Sequence, residues 1–385
     1  MPKVFVSHNA LITPLGFDVD EVFDTVLNGR SAIKRIDNPY YYHQPIFAAA
    51  IDDGLIEGCF PSIESSETFT RLERMMILAI DKVLKKTGIE LTDKVGLVIS
   101  TTKGNIDVLD QHSAFDKKRA YLSAMAKIVS EHFNFKTQPI IVSNACVSGL
   151  QALSIAKNTI DAGHFNQVVV VSGDLLSEFV ISGFQSFQAM SAEPCRPYSI
   201  NRCGISLGEA TACALVTSET SNLADEAVQI LGTSTQNDAN HISGPSRTGE
   251  GLYLSVKNAL NEATSEVSDI DYISAHGTAT IFNDEMEAIA FDRLQMNHIP
   301  MNSFKAVFGH TLGSSGLLET ILAMHSAKRS TLLPSVGFDT LGVSKSLNII
   351  AKAKKQAIDT FLKTASGFGG SNTAIIFRHV KSERI

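Results

Sequence analysis

The sequence predicts an α/β protein made of two similar halves. Short apolar runs typical of buried strands alternate with helix-like segments along the chain, which is the pattern of an α/β fold with parallel strands. With 385 residues, the chain is longer than one hydrophobic core usually supports. A polar, acidic stretch at residues 218–226 separates one series of segments from a second. We therefore place an N-terminal half at residues 1–225 and a C-terminal half at residues 226–385.

The individual elements follow from the hydrophobic periodicity. In the first half we predict an amphipathic helix at residues 71–86 and buried strands at 95–100, 140–143 and 168–172, with another helix between the last two strands,. In the second half we predict strands at residues 270–274 and 373–377, and helices at 284–294 and 316–328. The same style of alternation in both halves suggests a tandem duplication.

Composition and charge exclude several classes of protein. Hydrophobic residues make up 44% of the chain and charged residues 19%, which is typical of a soluble globular protein,. The formal net charge of −7 offers no general attraction for nucleic acid or an anionic membrane,. The N-terminal segment lacks the features of a secretion signal, and the longest apolar β-branched run is far shorter than the roughly 18 residues of a membrane span. We expect a cytoplasmic protein with no membrane insertion.

Only one of the five cysteines has a neighbourhood suited to chemistry. The five lack the paired spacing of zinc or redox sites,, so we expect no metal site, no disulfide framework and mostly inert core thiols. Cys146 follows a predicted strand and a turn of small residues, and a helix-like stretch comes next. A helix N-terminus favours a thiolate and offers N–H groups to an oxyanion, which predicts a lowered thiol pKa and a nucleophilic role. A buried structural thiol is the alternative.

Two of the eleven histidines stand in comparable places. His276 directly follows a predicted strand and is followed by glycine and two hydroxyl residues, Thr278 and Thr280. His310 follows a glycine and lies five residues after Lys305. A glycine beside each histidine lets the backbone pack closely while the imidazole faces a cleft. Both are candidates for catalysis, and a core or solvent-facing histidine is the alternative.

Five motifs lie in order along nearly the whole chain. They are Asn144-Ala-Cys146-Val-Ser-Gly149; Met190-Ser191 through Cys195-Arg196-Pro197-Tyr198, Arg202-Cys203-Gly204 and Gly208-Glu209; Ala275-His276-Gly277-Thr278-Ala-Thr280 with Asp284 and Glu287; Lys305 to Gly316 with Glu319; and Gly367-Phe368-Gly369-Gly370-Ser-Asn372. Together they resemble the β-ketoacyl-acyl-carrier-protein synthase family of elongating condensing enzymes. The resemblance implies a thiolase-like fold, in which two duplicated αβα halves form a layered α/β/α/β/α core.

The resemblance also implies a reaction and a role for each motif residue. An acyl chain passes from a phosphopantetheine thioester to Cys146, and malonyl-carrier protein then loses CO₂ while His276 and His310 stabilise the enolate oxygen. The carbanion attacks the Cys146 thioester. Thr278 and Thr280 resemble the hydroxyls that bond the pantetheine amides. The phosphopantetheine belongs to the substrates, so no covalently bound cofactor is expected.

Lys305 is predicted to be a further catalytic residue, and Glu319 and Glu287 are expected to support the site. The resemblance implies that Lys305 lies near Glu287 or Glu319 inside an otherwise apolar site. A purely structural buried ion pair is the alternative for Lys305 and Glu319. For Asp284 and Glu287 a helix N-terminal cap competes with a role in the site. We interpret Glu287 as supportive and Asp284 as structural.

Three positions depart from the family's common form. Ile205 and Ser366 stand where the family usually has aromatic residues, and Cys203 stands where an acidic residue is common. A serine at position 366 enlarges the pocket beside Cys146, which suggests a bulky or stiff acyl substrate such as an aryl or polyene chain. Phe368, between glycines, is the candidate gate to the malonyl channel, with a core phenylalanine as the alternative.

The family implies an acidic acyl carrier protein as partner, and a homodimer or a heterodimer with a homologous synthase subunit. Candidate basic residues for carrier docking are Arg71, Arg74, Lys117, Lys118 and Arg119, although basic runs are usually just solvated faces.

Several related functions compete with an elongating synthase. One alternative is a chain-length-factor-like subunit that is non-catalytic or weakly catalytic. Such a subunit lacks the thiol, so Cys146 counts against this alternative. A thiolase needs a second cysteine in the C-terminal glycine turn, and residues 366–372 contain none. Initiating synthases carry asparagine in place of His310. The residues therefore favour a β-ketoacyl synthase acting in fatty-acid or polyketide biosynthesis.

Overall fold

The structure, a computed structural model, describes residues 2–38, 41–60, 68–238 and 244–381. Its strands are β1 (Phe5–Ile12), β2 (Lys34–Ile36), β3 (Ile46–Ala49), β4 (Val95–Ser100), β5 (Ile140–Val142), β6 (Gln167–Asp174), β7 (Leu207–Gly208), β8 (Ala210–Thr217), β9 (Val228–Asn237), β10 (Tyr272–Ser274), β11 (Met301–Asn302), β12 (Thr331–Leu332), β13 (Lys354–Lys355), β14 (Thr360–Ser366) and β15 (Ser371–His379). Its helices are α1 (Val19–Leu27), α2 (Asp53–Cys59), α3 (Arg71–Thr87), α4 (Leu122–His132), α5 (Ser148–Asp161), α6 (Glu178–Ser186), α7 (Glu250–Ala263), α8 (Ile281–Arg293), α9 (Lys305–Phe308) and α10 (Ser315–Lys328). Within these described ranges, none of the helices combines the length and apolar character needed to cross a membrane.

The predicted elements are present, with shifts at some ends. Strand β4 occupies the predicted residues, and helices α3 and α10 begin and end within one residue of the prediction. Helix α3 begins where Thr70 and Glu73 form a reciprocal capping box,. The helix predicted at residues 284–294 begins earlier, at Ile281, because Thr280 caps its N-terminus through its side chain,.

Ten strands form one mixed sheet in the order β11-β10-β14-β15-β9-β1-β8-β6-β4-β5. It consists of two sets of five strands, the first made of β1, β4, β5, β6 and β8, and the second of β9, β10, β11, β14 and β15. In the first set, β4 pairs in parallel with β5 and β6, and β8 pairs antiparallel with β6 and β1. The second set repeats this arrangement: β10 pairs in parallel with β11 and β14, and β15 pairs antiparallel with β14 and β9. The sets join through β1 and β9. This repeated topology supports a tandem duplication, and the division predicted between residues 225 and 226 falls in the connection from β8 to β9.

The predicted parallel strands are present, but they make up only part of the sheet. The four central strands, β15, β9, β1 and β8, run antiparallel to their neighbours. Strand β15 follows β14 after a turn at residues 367–370, and so short a connection cannot form the crossover that a parallel pair requires,. The alternation of apolar and helical segments gives the location of strands but not their direction.

Helices α5 and α10 lie between the two sets of strands. Both contact strands of both sets, and residues 315–327 of α10 are all buried. Helices α3 and α4 cover the outer face of the first set, and α7 and α8 cover the outer face of the second. The layers are therefore α/β/α/β/α, as the resemblance implied, with the largest core cluster around α5 and α10.

Candidate active site

One cavity of about 430 Å³ brings together three of the four residues predicted to act in catalysis, and the fourth, Lys305, is not among the described residues that line it. Cys146, His276 and His310 all line it, although they follow three different elements, β5, β10 and α9. The remaining lining is largely apolar and includes Phe184, Phe187, Ile205, Phe282, Met286 and Phe368. A thiol and two imidazoles therefore share a space with few competing water contacts.

Cys146 lies in the turn between β5 and α5, two residues before the helix begins. It is 7% exposed, and the nearby backbone N–H of Phe368 favours the thiolate form. Burial raises the pKa of the Cys146 thiol to about 11, against the opposing effect of the Lys305 charge. The predicted lowering of this pKa is wrong. Burial destabilises the thiolate by more than the charge of Lys305 and the backbone N–H of Phe368 stabilise it,.

His276 lies on the loop between β10 and α8, and the first turns of α8 hold this loop. The two carboxylate oxygens of Glu287 accept the N–H groups of His276 and Gly277 at 2.9 and 2.7 Å. One oxygen of Asp284 accepts the next two N–H groups along the chain at 3.0 and 3.1 Å. The alternative of a helix cap is therefore wrong for both carboxylates, because they serve the histidine loop while Thr280 caps the helix.

His310 lies on the loop between α9 and α10. Its Nδ1 is 3.0 Å from Oγ of Ser315, which also accepts the N–H of Thr311 at 3.1 Å. The Ser315 hydroxyl has two possible acceptors, Nδ1 and the Thr311 hydroxyl at 3.0 Å; when it donates to Nδ1, the imidazole proton lies on Nε2. This Nε2 has no hydrogen-bond partner among the described residues. In that tautomer, an N–H without a partner is thus available beside the thiol.

The two imidazoles are close together and neutral. The ring centroids of His276 and His310 lie 5.3 Å apart, with the rings nearly perpendicular. Burial lowers the pKa of both histidines well below the usual value, and the positive charge of Lys305 lowers it further. Two neutral N–H donors can share a negative charge that develops between them.

A buried carboxylate between two lysines lies behind the histidines. Nζ of Lys305 is 2.5 Å from one oxygen of Glu319, and Nζ of Lys363 is 2.6 Å from the other. Of the two partners expected for Lys305, the structure thus selects Glu319 and places Glu287 on the His276 loop. The sequence reasoning missed Lys363, although a lysine in the apolar run of β14 was a visible signal.

Hydroxyl and aromatic side chains complete the cavity. Thr278 and Thr280 both line it, and their hydroxyl oxygens are 2.9 Å apart. The ring of Phe368 lies against those of Phe184 and Phe187, with centroids 5.4 and 5.3 Å away. Phe368 therefore shares the cavity with Cys146 and packs against two other aromatic rings, and its role as a gate stays a prediction.

All three positions that depart from the family's common form, Cys203, Ile205 and Ser366, line the cavity. Oγ of Ser366 donates to Oδ1 of Asn372 at 2.7 Å. Cys203 is exposed, and its sulfur is 3.0 Å from Oγ of Ser191. The expectation of mostly core thiols holds for Cys195 and Cys213 but not for Cys59 and Cys203, which are exposed.

The basic residues proposed for carrier docking divide into two groups. Arg71 pairs with the fully buried Glu209 at 2.7 Å, and Arg119 pairs with the fully buried Glu73. These two arginines compensate buried carboxylates, so they are wrong as candidates for a free docking surface. Arg74 is partly buried, whereas Lys117 and Lys118 are exposed.

Comparison with known proteins identifies the family. Sequence models of the β-ketoacyl synthase N-terminal and C-terminal domains match residues 2–222 and 227–339. The chain belongs to the β-ketoacyl synthase family, and it is a condensing enzyme of the acyltransferase class.

Three similar proteins span almost the whole chain. It is 25% identical to 3-oxoacyl-[acyl-carrier-protein] synthase 2 of Coxiella burnetii, over 98% of this chain and 99% of that protein. It is 26% identical to the ketoacyl synthase alpha subunit of the tetracenomycin polyketide synthase of Streptomyces glaucescens, over 99% and 98% of the two chains. A ketosynthase solved in complex with its chain length factor, from Xenorhabdus doucetiae, has the same fold with a TM-score of 0.84, 22% identity and coverage of 98% of both chains.

Proposed function

We propose that this synthase joins malonyl units to an acyl chain held on Cys146, with His276 and His310 as the groups that stabilise the enolate. The observation that carries the proposal is the shared cavity, in which one thiol faces two neutral imidazoles whose centroids are 5.3 Å apart. Both substrates arrive as phosphopantetheine thioesters, and the enzyme needs no covalently bound cofactor of its own.

The first step is acyl transfer to the thiol. Sγ of Cys146 bonds to the thioester carbonyl carbon, the bond to the pantetheine sulfur breaks, and the thiol proton leaves with that sulfur. The backbone N–H groups of Cys146 and Phe368 are the proposed donors to the oxyanion. Since burial keeps the free thiol protonated, its deprotonation belongs to the reaction with bound substrate and not to the resting enzyme.

The second step is decarboxylation and condensation. The bond between the malonyl α-carbon and its carboxylate breaks, CO₂ leaves, and the electron pair moves to the thioester oxygen, where His276 and His310 donate hydrogen bonds. The α-carbon then attacks the acyl carbonyl carbon, and the Cys146 sulfur leaves as a thiolate and takes up a proton. Neutral donors suit this step because an imidazolium would hold the malonyl carboxylate as an ion pair and oppose its departure.

The mouth of the cavity suits the pantetheine arm. The hydroxyls of Thr278 and Thr280 are proposed to bond its amides, and Phe368 is proposed to swing between the acyl and malonyl positions. Ser366 and Ile205 leave space beside Cys146, which supports a bulky or stiff acyl chain as substrate.

An acyl carrier protein is the proposed donor of both substrates, as the name of the Coxiella relative indicates for that enzyme. Lys117 and Lys118 remain as exposed basic candidates for docking. The other proposed partner is a second synthase subunit, which is either an identical copy or a homologous chain. The Xenorhabdus ketosynthase, which is in complex with its chain length factor, supports this proposal.

The test is to incubate the protein with acyl-carrier and malonyl-carrier protein and follow the mass of the Cys146 peptide and the release of CO₂. Wild type is expected to show both acylation and condensation. Cys146→Ala is expected to lose acylation, and His310→Ala to keep acylation and lose condensation. Cys213→Ala, which removes a buried thiol from β8, is the matched control and is expected to keep both. Acylation of Cys203 in place of Cys146, or condensation by Cys146→Ala, would contradict the proposal.

A further inference from the structure

Lys363 is a fully buried lysine on β14, directly opposite Ser274 of β10 in the sheet register. Besides its bond to Glu319, its Nζ donates to the carbonyl oxygens of Ser274 and Ala275 at 3.2 and 3.3 Å. A hydrophobic residue of similar volume often stabilises a core as well as a buried ion pair does. The charge at this position therefore points to a role in the site.

Both lysines act on the same short segment. Nζ of Lys305 donates to the carbonyl oxygen of His276 at 3.1 Å. Together with the two bonds from Lys363, this bond means that the backbone carbonyls of Ser274, Ala275 and His276 each accept a hydrogen bond from a lysine ammonium group. Glu319 lies between the lysines with one oxygen bonded to each. Charge-assisted hydrogen bonds thus fix this segment from behind.

We propose that Lys363 is a positioning residue for the condensation step, which holds His276 in place and adds a positive charge behind both imidazoles. The inference rests on the function proposed above. Lys363 is not among the described residues that line the cavity, so it acts through His276 and not on the reacting atoms.

The groups that face this lysine come from several elements. They are Glu319 of α10, Lys305 of α9, Glu287 of α8, and the two histidines. The positive charge of Lys363 lowers the pKa of His276 and His310, in addition to burial and Lys305. Removing that charge raises both imidazole pKa values, so more imidazolium is present at a given pH. The acidic limb of the pH–rate profile for condensation must therefore move to higher pH.

The test compares Lys363→Met with Lys157→Met in the full-length protein. Lys157 is also buried and pairs with two carboxylates, Asp161 and Glu262, but it lies in the C-terminal half of α5. Lys363→Met is expected to lower kcat for condensation about 10- to 100-fold, to leave the rate of Cys146 acylation within about twofold, and to shift the acidic limb upward. Lys157→Met is expected to leave all three unchanged, whatever it does to stability.

Lys363→Gln keeps amide donors without the charge and serves if the methionine variant does not fold. It is expected to acylate normally and still show the upward shift of the acidic limb. Equal losses of acylation and condensation with an unmoved pH profile would reduce Lys363 to a structural residue. Wild-type condensation by both Lys363 variants would likewise overturn the inference. Failure of wild type to condense would instead overturn the proposed function.

Discussion

Ser366 is one of the small side chains that line the cavity shared with the Cys146 thiol. It lines the cavity, and its hydroxyl is used by Asn372 and not by the solvent. A larger side chain here would occupy the volume next to the acyl carbonyl of Cys146. The size of one side chain thus bears on which acyl chains the enzyme accepts.

Ser366→Phe is expected to exclude long or stiff acyl chains while acetyl transfer to Cys146 continues, because the ring fills space that only a bulky chain needs. The measurement is the acylation rate of Cys146 over a series of acyl-carrier substrates, read by mass. Ser366→Ala is the control, since it removes the bond to Asn372 without filling the cavity. An unchanged substrate range in Ser366→Phe would end the idea of a bulky substrate.

The reactivity of the free Cys146 thiol is a second property set by single residues. Because burial raises its pKa to about 11, alkylation by iodoacetamide is expected to keep rising with pH well beyond the value of about 8.5 typical of free cysteine. Lys305→Met is expected to move the inflection higher still, since the Lys305 charge lowers this pKa. The Cys146 peptide must be followed by mass, because Cys203 is exposed and reacts independently. An inflection below about 8 would restore the prediction of an activated thiol.

Sequence reasoning predicted which residues meet in the cavity more successfully than it predicted the charges around them. Cys146, His276 and His310 stand in motifs with local signals, namely a strand end, a glycine and a following helix. The thiol pKa depends on burial by Phe368 and its neighbours, which come from distant parts of the chain. Lys363 was missed because its partner, Glu319, is 44 residues away, and nothing local indicates that contact.

At the scale of elements, the loop that carries His276 depends on helix α8. The carboxylate of Glu287 accepts two backbone N–H groups from that loop and also the hydroxyl of Tyr198 at 3.0 Å. A glutamine would turn an amide N–H₂ toward one set of these donors, which leaves a buried N–H or hydroxyl without an acceptor. The loop is therefore held by the charge of the carboxylate and not only by its shape.

Glu287→Gln is expected to lower the free energy of unfolding by about 1–3 kcal/mol and to reduce condensation more than acylation, because His276 moves while Cys146 does not. Denaturant unfolding and the two partial reactions measure these effects. Glu285→Gln is the matched control on the same helix, where Ser344 at the surface is the partner of the carboxylate among the described residues. Equal effects of both variants on condensation would contradict a specific role of Glu287.

At the scale of the whole molecule, the duplication explains how the site is assembled. Helix α5 follows the third strand of the first set, and α10 follows the third strand of the second set, with α9 between them. Cys146 precedes α5 and His310 precedes α10, so equivalent places in the two halves contribute the thiol and an imidazole. The repeat of topology was visible only weakly in the sequence, because the halves share a pattern of elements and few residues.

The two helices meet through glycines near their N-termini. A Cβ added at Gly149 would lie 2.5 Å from the carbonyl oxygen of Gly313, and one at Gly316 would lie 2.4 Å from the N of Leu150. Both distances are too short for any side chain. Asp174 of the first half adds a hydrogen bond of 2.7 Å from the N–H of Gly313. The close contact between the N-terminal ends of α5 and α10 therefore sets the distance between Cys146 and His310.

Gly149→Ala is expected to push α10 away from α5, to lower the free energy of unfolding by about 1–3 kcal/mol, and to reduce condensation more strongly than acylation. Acylation needs only groups near Cys146, whereas condensation needs the thioester and His310 at a fixed separation. Gly58→Ala is the control, because its added Cβ meets no atom of the described residues within 4 Å, and it is expected to be neutral for both reactions. If Gly149→Ala lost stability while the ratio of the two rates stayed at the wild-type value, the contact between the halves would serve packing alone.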